Sequence, residues 1–259
     1  MSIVKAKKHL GQHFLTDKNI AEKIVSSLKS TDKYHQVLEV GPGMGILSDF
    51  LLSKDDPQAY LIDIDTESFN YLKKKYPHLG DRLINGDFLE MDFSSVFPGK
   101  FGIIGNFPYN ISSQILFKVL DNRDQVVELV GMFQKEVAER CAEKPGSKEY
   151  GILSVFLQAF YKVEYLFSVK PGVFNPPPKV TSAVIRLTRN EVERLDCDEK
   201  LFWKVVKAGF NQRRKTLRNA LSSLVSKEDM NDDPLLDLRA ERLSVNDFVK
   251  LTNLVSVSR

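Results

Sequence analysis

Seven short apolar, β-branched runs alternate with stretches of helical periodicity along the first three quarters of the chain. The runs, at Gln36–Val40, Tyr60–Asp65, Leu83–Gly86, Phe101–Gly105, Val126–Phe133, Lys162–Val169 and Ala183–Thr188, predict strands. Residues 17–30, 46–54, 66–75, 112–120 and 134–143 predict helices between them. Strand and helix in alternation are the signature of an α/β sheet, with parallel strands covered on both faces. Only the Pro-rich PGVFNPPPKV joins the last two runs, leaving little room for a crossover helix, so an antiparallel pair is expected at one edge.

Strand signals stop after Thr188. Residues 198–223 then place Leu201, Phe202, Val205, Val206, Phe210, Leu217 and Leu221 at helical spacing, and the remainder also reads as helix. Two domains are therefore expected, an α/β domain over residues 1–190 and a small all-α domain over 191–259. No internal repeat or low-complexity tract interrupts either.

With 259 residues, 42% of them apolar and 27% charged, the chain is long enough for a sizeable core and falls outside disordered and fibrous classes. Cys141 and Cys197 alone make neither a disulfide framework nor a zinc cluster, which points to a reducing compartment. No apolar stretch reaches the length of a membrane helix, and the N-terminus lacks the apolar core of a secretion signal. A cytoplasmic protein without metal or membrane is expected.

The net charge of +3 is small, but its placement changes the picture. Residues 200–220 carry Lys200, Lys204, Lys207, Arg213, Arg214, Lys215 and Arg218 without a single acid, and Lys5, Lys7 and Lys8 crowd the N-terminus. One such cluster is ordinarily a solvated face. Two on a near-neutral chain suggest a polyanionic partner.

The candidate chemistry sits at strand ends. VLEVGPGMGILSDFL reads as strand, glycine turn and helix, with Gly41, Gly43 and Gly45 giving a ligand close access to the backbone. Ile46 stands where the dinucleotide fingerprint needs glycine, which disfavours a nicotinamide cofactor. LIDID then places Asp63 and Asp65 at the next strand end, where a carboxylate commonly accepts ribose hydroxyls; for Asp65 a helix cap is the simpler reading. NGDF puts Asp87 at the third strand end, where it can accept a hydrogen bond from an adenine amine. Together these positions describe a site for an adenosine with a compact tail free of phosphate, such as S-adenosylmethionine.

The fourth strand runs into Asn106-Phe107-Pro108-Tyr109. An adenine amine is a poor nucleophile, because its lone pair is delocalised into the ring. Acceptors for its N–H groups help that lone pair localise as the transition state forms. The Asn106 side-chain oxygen and the Phe107 carbonyl are two such acceptors; Pro108 stiffens the turn, and Tyr109 can stack on a flipped base.

KHLGQHFL, EVGPGMG, NFPYNIS, QKE, PGSKEYGILS, FNPPPKVTSAV and FNQRRKTLRN together resemble the small-subunit ribosomal RNA adenine N6,N6-dimethyltransferase family, from about Lys5 to near the C-terminus. That resemblance implies a Rossmann-like S-adenosylmethionine-dependent enzyme acting on two adjacent adenines of a hairpin loop. Its partners would be small-subunit rRNA and the immature small ribosomal subunit, with the enzyme a monomer. His13 and Leu15 would line the cofactor pocket with Gly41, Asn106 would bind the target amine beside that pocket, and Asp63 would stand where many members have Glu. Phe174 would stack on the target adenine opposite Tyr109. Arg213, Arg214, Lys215 and Arg218 would contact phosphates. Rival readings are a large-subunit rRNA or DNA adenine methyltransferase, which the FNQRRKTLRN tail disfavours, and a non-catalytic ribosome-assembly or transcription factor, which would not need Asn106, Asp87 and the glycines intact.

Overall fold

The computed structural model describes residues 4–225 and 232–257. In chain order the elements are β1 (Phe14–Leu15), α1 (Lys18–Val25), β2 (Gln36–Val40), α2 (Ile46–Leu51), β3 (Gln58–Asp63), α3 (Thr66–Lys75), β4 (Leu83–Asn85), β5 (Phe101–Asn106) and α4 (Ser112–Asp121). There follow β6 (Val126–Gln134), α5 (Lys135–Ala142), α6 (Ile152–Phe160), β7 (Tyr161–Val169), β8 (Phe174–Asn175), β9 (Ser182–Arg189), α7 (Glu199–Asn211), α8 (Leu217–Ala220) and α9 (Val245–Val257).

Contacts divide the chain into two compact units, Met1–Ala138 with Lys162–Arg189, and Glu139–Tyr161 with Asn190–Arg259. The second division falls one residue from the expected 190/191 boundary. The segment 139–161, expected in the first domain, packs with the C-terminal helices instead.

The first unit carries a seven-stranded sheet of order β4-β3-β2-β5-β6-β9-β7. β4, β3, β2, β5 and β6 pair in parallel, and β9 runs antiparallel to β6. The last two long strands, β9 and β7, are neighbours at one edge. β2 lies between β3 and β5, so strand order reverses there, and the carboxyl ends of β2, β3, β4 and β5 face one crevice.

α1 is shorter than the predicted 17–30. Asp17 caps its start by accepting from the Asn19 and Ile20 N–H groups at 2.9 and 3.1 Å. Its continuation is diverted by Glu128 of β6, whose buried carboxylate takes the Lys29 and Ser30 N–H groups at 3.0 Å each and the Tyr34 hydroxyl at 2.8 Å. A charged acceptor held this way competes with continued helix.

In the second unit, α6 buries Ser154, Val155, Phe156, Leu157, Ala159 and Phe160. The predicted 198–223 helix is two helices, α7 and α8, separated by residues 212–216. Between Phe210 and Leu217 the chain reads NQRRKT, so an unbroken helix would have no apolar face to bury there. The Arg213 guanidinium instead donates to the carbonyls of Lys148 and, at 3.0 Å, Tyr150. Part of the expected C-terminal helix, residues 226–231, lies outside the described residues.

Candidate active site

The crevice at the strand ends is a cleft of about 150 Å3 within the first unit. The β2–α2 turn supplies Gly41 and Gly43 to it, the end of β3 Asp63 and Ile64, the end of β4 Gly86 to Leu89, and the end of β5 Asn106 to Ile111. The N-terminal segment Leu10–Phe14 forms the remaining wall.

Gly41 has φ +67°, and a Cβ there would meet no atom within 4 Å, so the backbone at that point is open to a ligand. Gly43 has φ +58°, and its missing Cβ admits the Phe14 ring, which would lie 2.7 Å from it. Gly45 is not on the cleft; it starts α2 and packs against Tyr76.

Asp63 is 4% exposed and accepts from the Gly43 N–H at 3.1 Å and the Asp65 N–H at 2.9 Å. It therefore ties the glycine turn to the β3 end while reaching the cleft wall. Burial pushes its carboxyl up to about 6, against the pull of those two backbone donors. Behind it, burial pushes Glu39 up to about 8, while the Ser48 hydroxyl donates to it at 2.6 Å. Burial thus works against ionisation of both carboxyls, and more strongly for Glu39. Asp65 is the cap of α3 that its sequence setting suggested, accepting from the Glu67 N–H at 3.1 Å.

Asp65 also receives Lys7 and, at 3.2 Å, Gln12. One of the three N-terminal lysines is thus committed to holding the segment that walls the cleft. Asp87 borders the cleft and accepts from the Leu89 N–H at 2.8 Å through one oxygen. Its other oxygen has no partner among the described residues.

At the chemical end, Asn106 Nδ2 donates to the His13 carbonyl at 2.8 Å. A carbonyl only accepts, so this bond sets which way the amide faces. Asn106 Oδ1 has no partner among the described residues and is free for an incoming N–H. The Phe107 ring is 1% exposed and packs on Phe133, in space left by Gly131, where a Cβ would lie 2.2 Å from it. Phe107 therefore offers the cleft only its backbone. The Tyr109 ring stacks on His13 with centroids 5.4 Å apart, and its hydroxyl bonds Ser182 Oγ. Burial holds that phenol above its ordinary value, so the ring is a neutral surface. His13 Nδ1 in turn donates to the Pro176 carbonyl at 2.8 Å.

Four expected residues, Phe174, Leu15, Arg213 and Arg218, lie off the main cleft or are already engaged. Phe174 is 4% exposed and lies in the core beside Leu15, not on the cleft. Pairing of β1 with β8 puts Leu15 opposite Phe174 and turns both inward, so the ring expected opposite Tyr109 is packed away from it. Leu15 borders a small neighbouring pocket with Glu39 and Met44, whereas the main wall is Leu10 to Phe14. Of the four cations on and before α8, Arg213 is spent on backbone carbonyls and Arg218 pairs with Asp237 at 3.3 Å. Arg214 and Lys215 are exposed, and their side chains have no partner among the described residues.

Ile64 is a cleft residue that the sequence reading does not single out. It is 53% exposed beside Asp63, where an apolar side chain can cover the face of a bound purine. The available signal is its position, one apolar residue between two strand-end aspartates.

A reversed parallel sheet with a glycine turn and two strand-end carboxylates at the crevice, followed by NFPY, defines a Rossmann-like methyltransferase. The model of the ribosomal RNA adenine dimethylase family matches residues 3–256, and the chain belongs to that family. It is 60% identical over 256 residues to the ribosomal RNA small subunit methyltransferase A of Cytophaga hutchinsonii, covering 99% of each chain. To the protein of that name from Flavobacterium johnsoniae it is 56% identical, covering 98% of this chain and 97% of the relative. Among solved structures it is similar to a dimethyladenosine transferase from Plasmodium falciparum, with a TM-score of 0.76, 27% identity, and coverage of 95% of this chain and 98% of that one. The 23S rRNA methyltransferase ErmE shares the fold at a TM-score of 0.67 and 22% identity, covering 94% and 99%.

Proposed function

We propose that the protein uses S-adenosylmethionine to dimethylate N6 of two adjacent adenines in a hairpin loop near the 3′ end of small-subunit rRNA, within the immature small subunit. The observation that carries this reading is the Asn106 amide, oriented by the His13 carbonyl so that an unpartnered acceptor stands at the cleft.

The cleft fits the cofactor. Gly41 leaves open backbone, Ile64 exposes an apolar side chain, and Asp63 and Asp87 are spaced on successive strand ends for the ribose and adenine of one nucleoside. When bound, S-adenosylmethionine supplies an electrophilic methyl group. Asn106 Oδ1 and the Phe107 carbonyl accept the N–H groups of the target amine, drawing its lone pair out of conjugation. Tyr109 has one face covered by His13 and offers the other to the flipped base, with Ser182 fixing the ring plane. No cleft residue is needed as a strong base, since the product ammonium is acidic enough to lose its proton to water.

The second unit docks RNA through Arg214 and Lys215, whose charges are not consumed by the protein. Replacing both by Gln should lower the salt slope of subunit binding by roughly 0.7–0.9 for each phosphate no longer neutralised, with cofactor affinity unchanged. An unaltered slope would make them a solvated loop. Among the described residues no group of three or more His, Cys, Asp or Glu could hold a metal, and no helix is long and apolar enough to cross a membrane. We place the enzyme in the cytoplasm as a monomer. The function is tested by incubation with methyl-labelled cofactor and undermethylated small subunits. Label should accumulate to four methyl groups per small subunit, about two on each of two adenines; transfer to large-subunit RNA or DNA instead would overturn the assignment.

A further inference from the structure

Lys118 of α4 reaches the segment that follows β4. Its Nζ donates to the Leu89 carbonyl at 2.8 Å and the Met91 carbonyl at 2.7 Å, and stands 4.9 Å from the centroid of the Phe93 ring. The segment it grips starts at Asp87, and Gly86, Asp87, Phe88 and Leu89 all line the cleft.

From Gly86 to Asp92 the chain has neither helix nor strand. The turn is closed locally by the Leu89 N–H on the Asp87 carboxylate at 2.8 Å and the Glu90 N–H on the Asp87 carbonyl at 3.2 Å. One Asp87 oxygen is thereby occupied, so the conformation of the turn decides where the other points. The turn brings the Leu89 and Met91 carbonyls toward one point, an arrangement that two dipoles of like sign resist and that a cation between them reverses. Lys118 is that cation, borne on a helix whose Ile115, Leu116, Val119 and Leu120 are buried.

We propose that Lys118 is a positioning residue for the adenine of the cofactor: by holding the Leu89 and Met91 carbonyls, it keeps Asp87 aimed at the exocyclic amine. The proposal rests on the reading of Asp87 given under the proposed function. It assigns Lys118 to nucleobase discrimination, although the side chain does not itself line the cleft.

The test compares two ligands by calorimetry, S-adenosylhomocysteine and its analogue with unsubstituted purine in place of adenine. The wild type should prefer the adenine ligand. Lys118→Met should bind S-adenosylhomocysteine about tenfold more weakly, the scale of one lost charge-assisted hydrogen bond, while binding the purine analogue as the wild type does. The KM for S-adenosylmethionine should rise with kcat at saturating cofactor retained, and Lys118→Arg, which keeps a cation with several donors, should restore both. Thermal melting checks that the variants are folded; if Lys118→Met is not, Lys118→Gln, with one neutral donor, should show the same selective loss in smaller measure. A variant that loses equal affinity for both ligands, or that keeps the wild-type preference, overturns the role of Lys118. A wild type that binds both ligands equally overturns the Asp87 reading beneath it.

Discussion

Asn106→Ala is expected to slow methyl transfer about a hundred- to a thousandfold while leaving cofactor binding largely intact. The side chain spends its Nδ2 on the His13 carbonyl, which on the proposed reading leaves Oδ1 for the target amine, so its loss removes an acceptor that matters most as the amine pyramidalises. By analogy with a removed oxyanion-hole donor, the cost is roughly 2.7–4 kcal/mol, or about 10²–10³ in rate. Asn106→Asp is a sharper variant. It keeps an acceptor but sets a carboxylate against the His13 carbonyl, so activity should not be rescued. Single-turnover kinetics beside calorimetry checks both, and near-normal turnover in Asn106→Ala would remove this side chain from the mechanism.

The second large effect concerns Asp63. Asp63→Ala should weaken S-adenosylmethionine and S-adenosylhomocysteine alike by roughly 1.5–3 kcal/mol, the value of a hydrogen bond to a charged group. It also strands the Gly43 and Asp65 N–H groups that the carboxylate now satisfies. Because burial holds the Asp63 carboxyl at about 6, the pH dependence has a defined sign. On the proposed reading the ionised form accepts the ribose hydroxyls. Below about pH 6 the free protein takes up a proton that binding must expel, so affinity falls as the pH is lowered, by up to about tenfold per unit for one linked proton. Above about pH 7 the group is ionised and its contribution is flat. Asp63→Asn, which cannot ionise, should lose that dependence. Equal affinity in wild type and Asp63→Ala would place the ribose elsewhere.

Much of this is legible because strand ends announce themselves. Asp63, Asp87 and Asn106 each follow an apolar run, and a parallel sheet brings such positions to one edge wherever the strands are registered. What escapes reading depends on pairings distant in sequence. Phe174 looks like a cleft residue in its motif, yet a pairing of two residues per strand across more than a hundred positions turns it into the core and leaves Leu15 at a small pocket beside the main cleft. Arg213 looks like Arg214, and only the folded chain shows that its guanidinium is taken by the Lys148 and Tyr150 carbonyls. α6 escapes for a different reason. ILSVFLQAF is a short, strongly apolar run with only Ser154 and Gln158 polar, which periodicity alone does not separate from a buried strand. It packs with α7 and α9, far from it in sequence.

The most direct measurement is nucleoside mass spectrometry of small-subunit rRNA treated with the wild-type protein, mapped by nuclease fragments. N6,N6-dimethyladenosine is expected at two neighbouring adenines of one hairpin-loop fragment, and strongly reduced over the same reaction time when Asn106→Ala replaces the wild type. Methylation at a ring carbon or ribose oxygen, or N6-methylated adenine confined to large-subunit RNA, would contradict it.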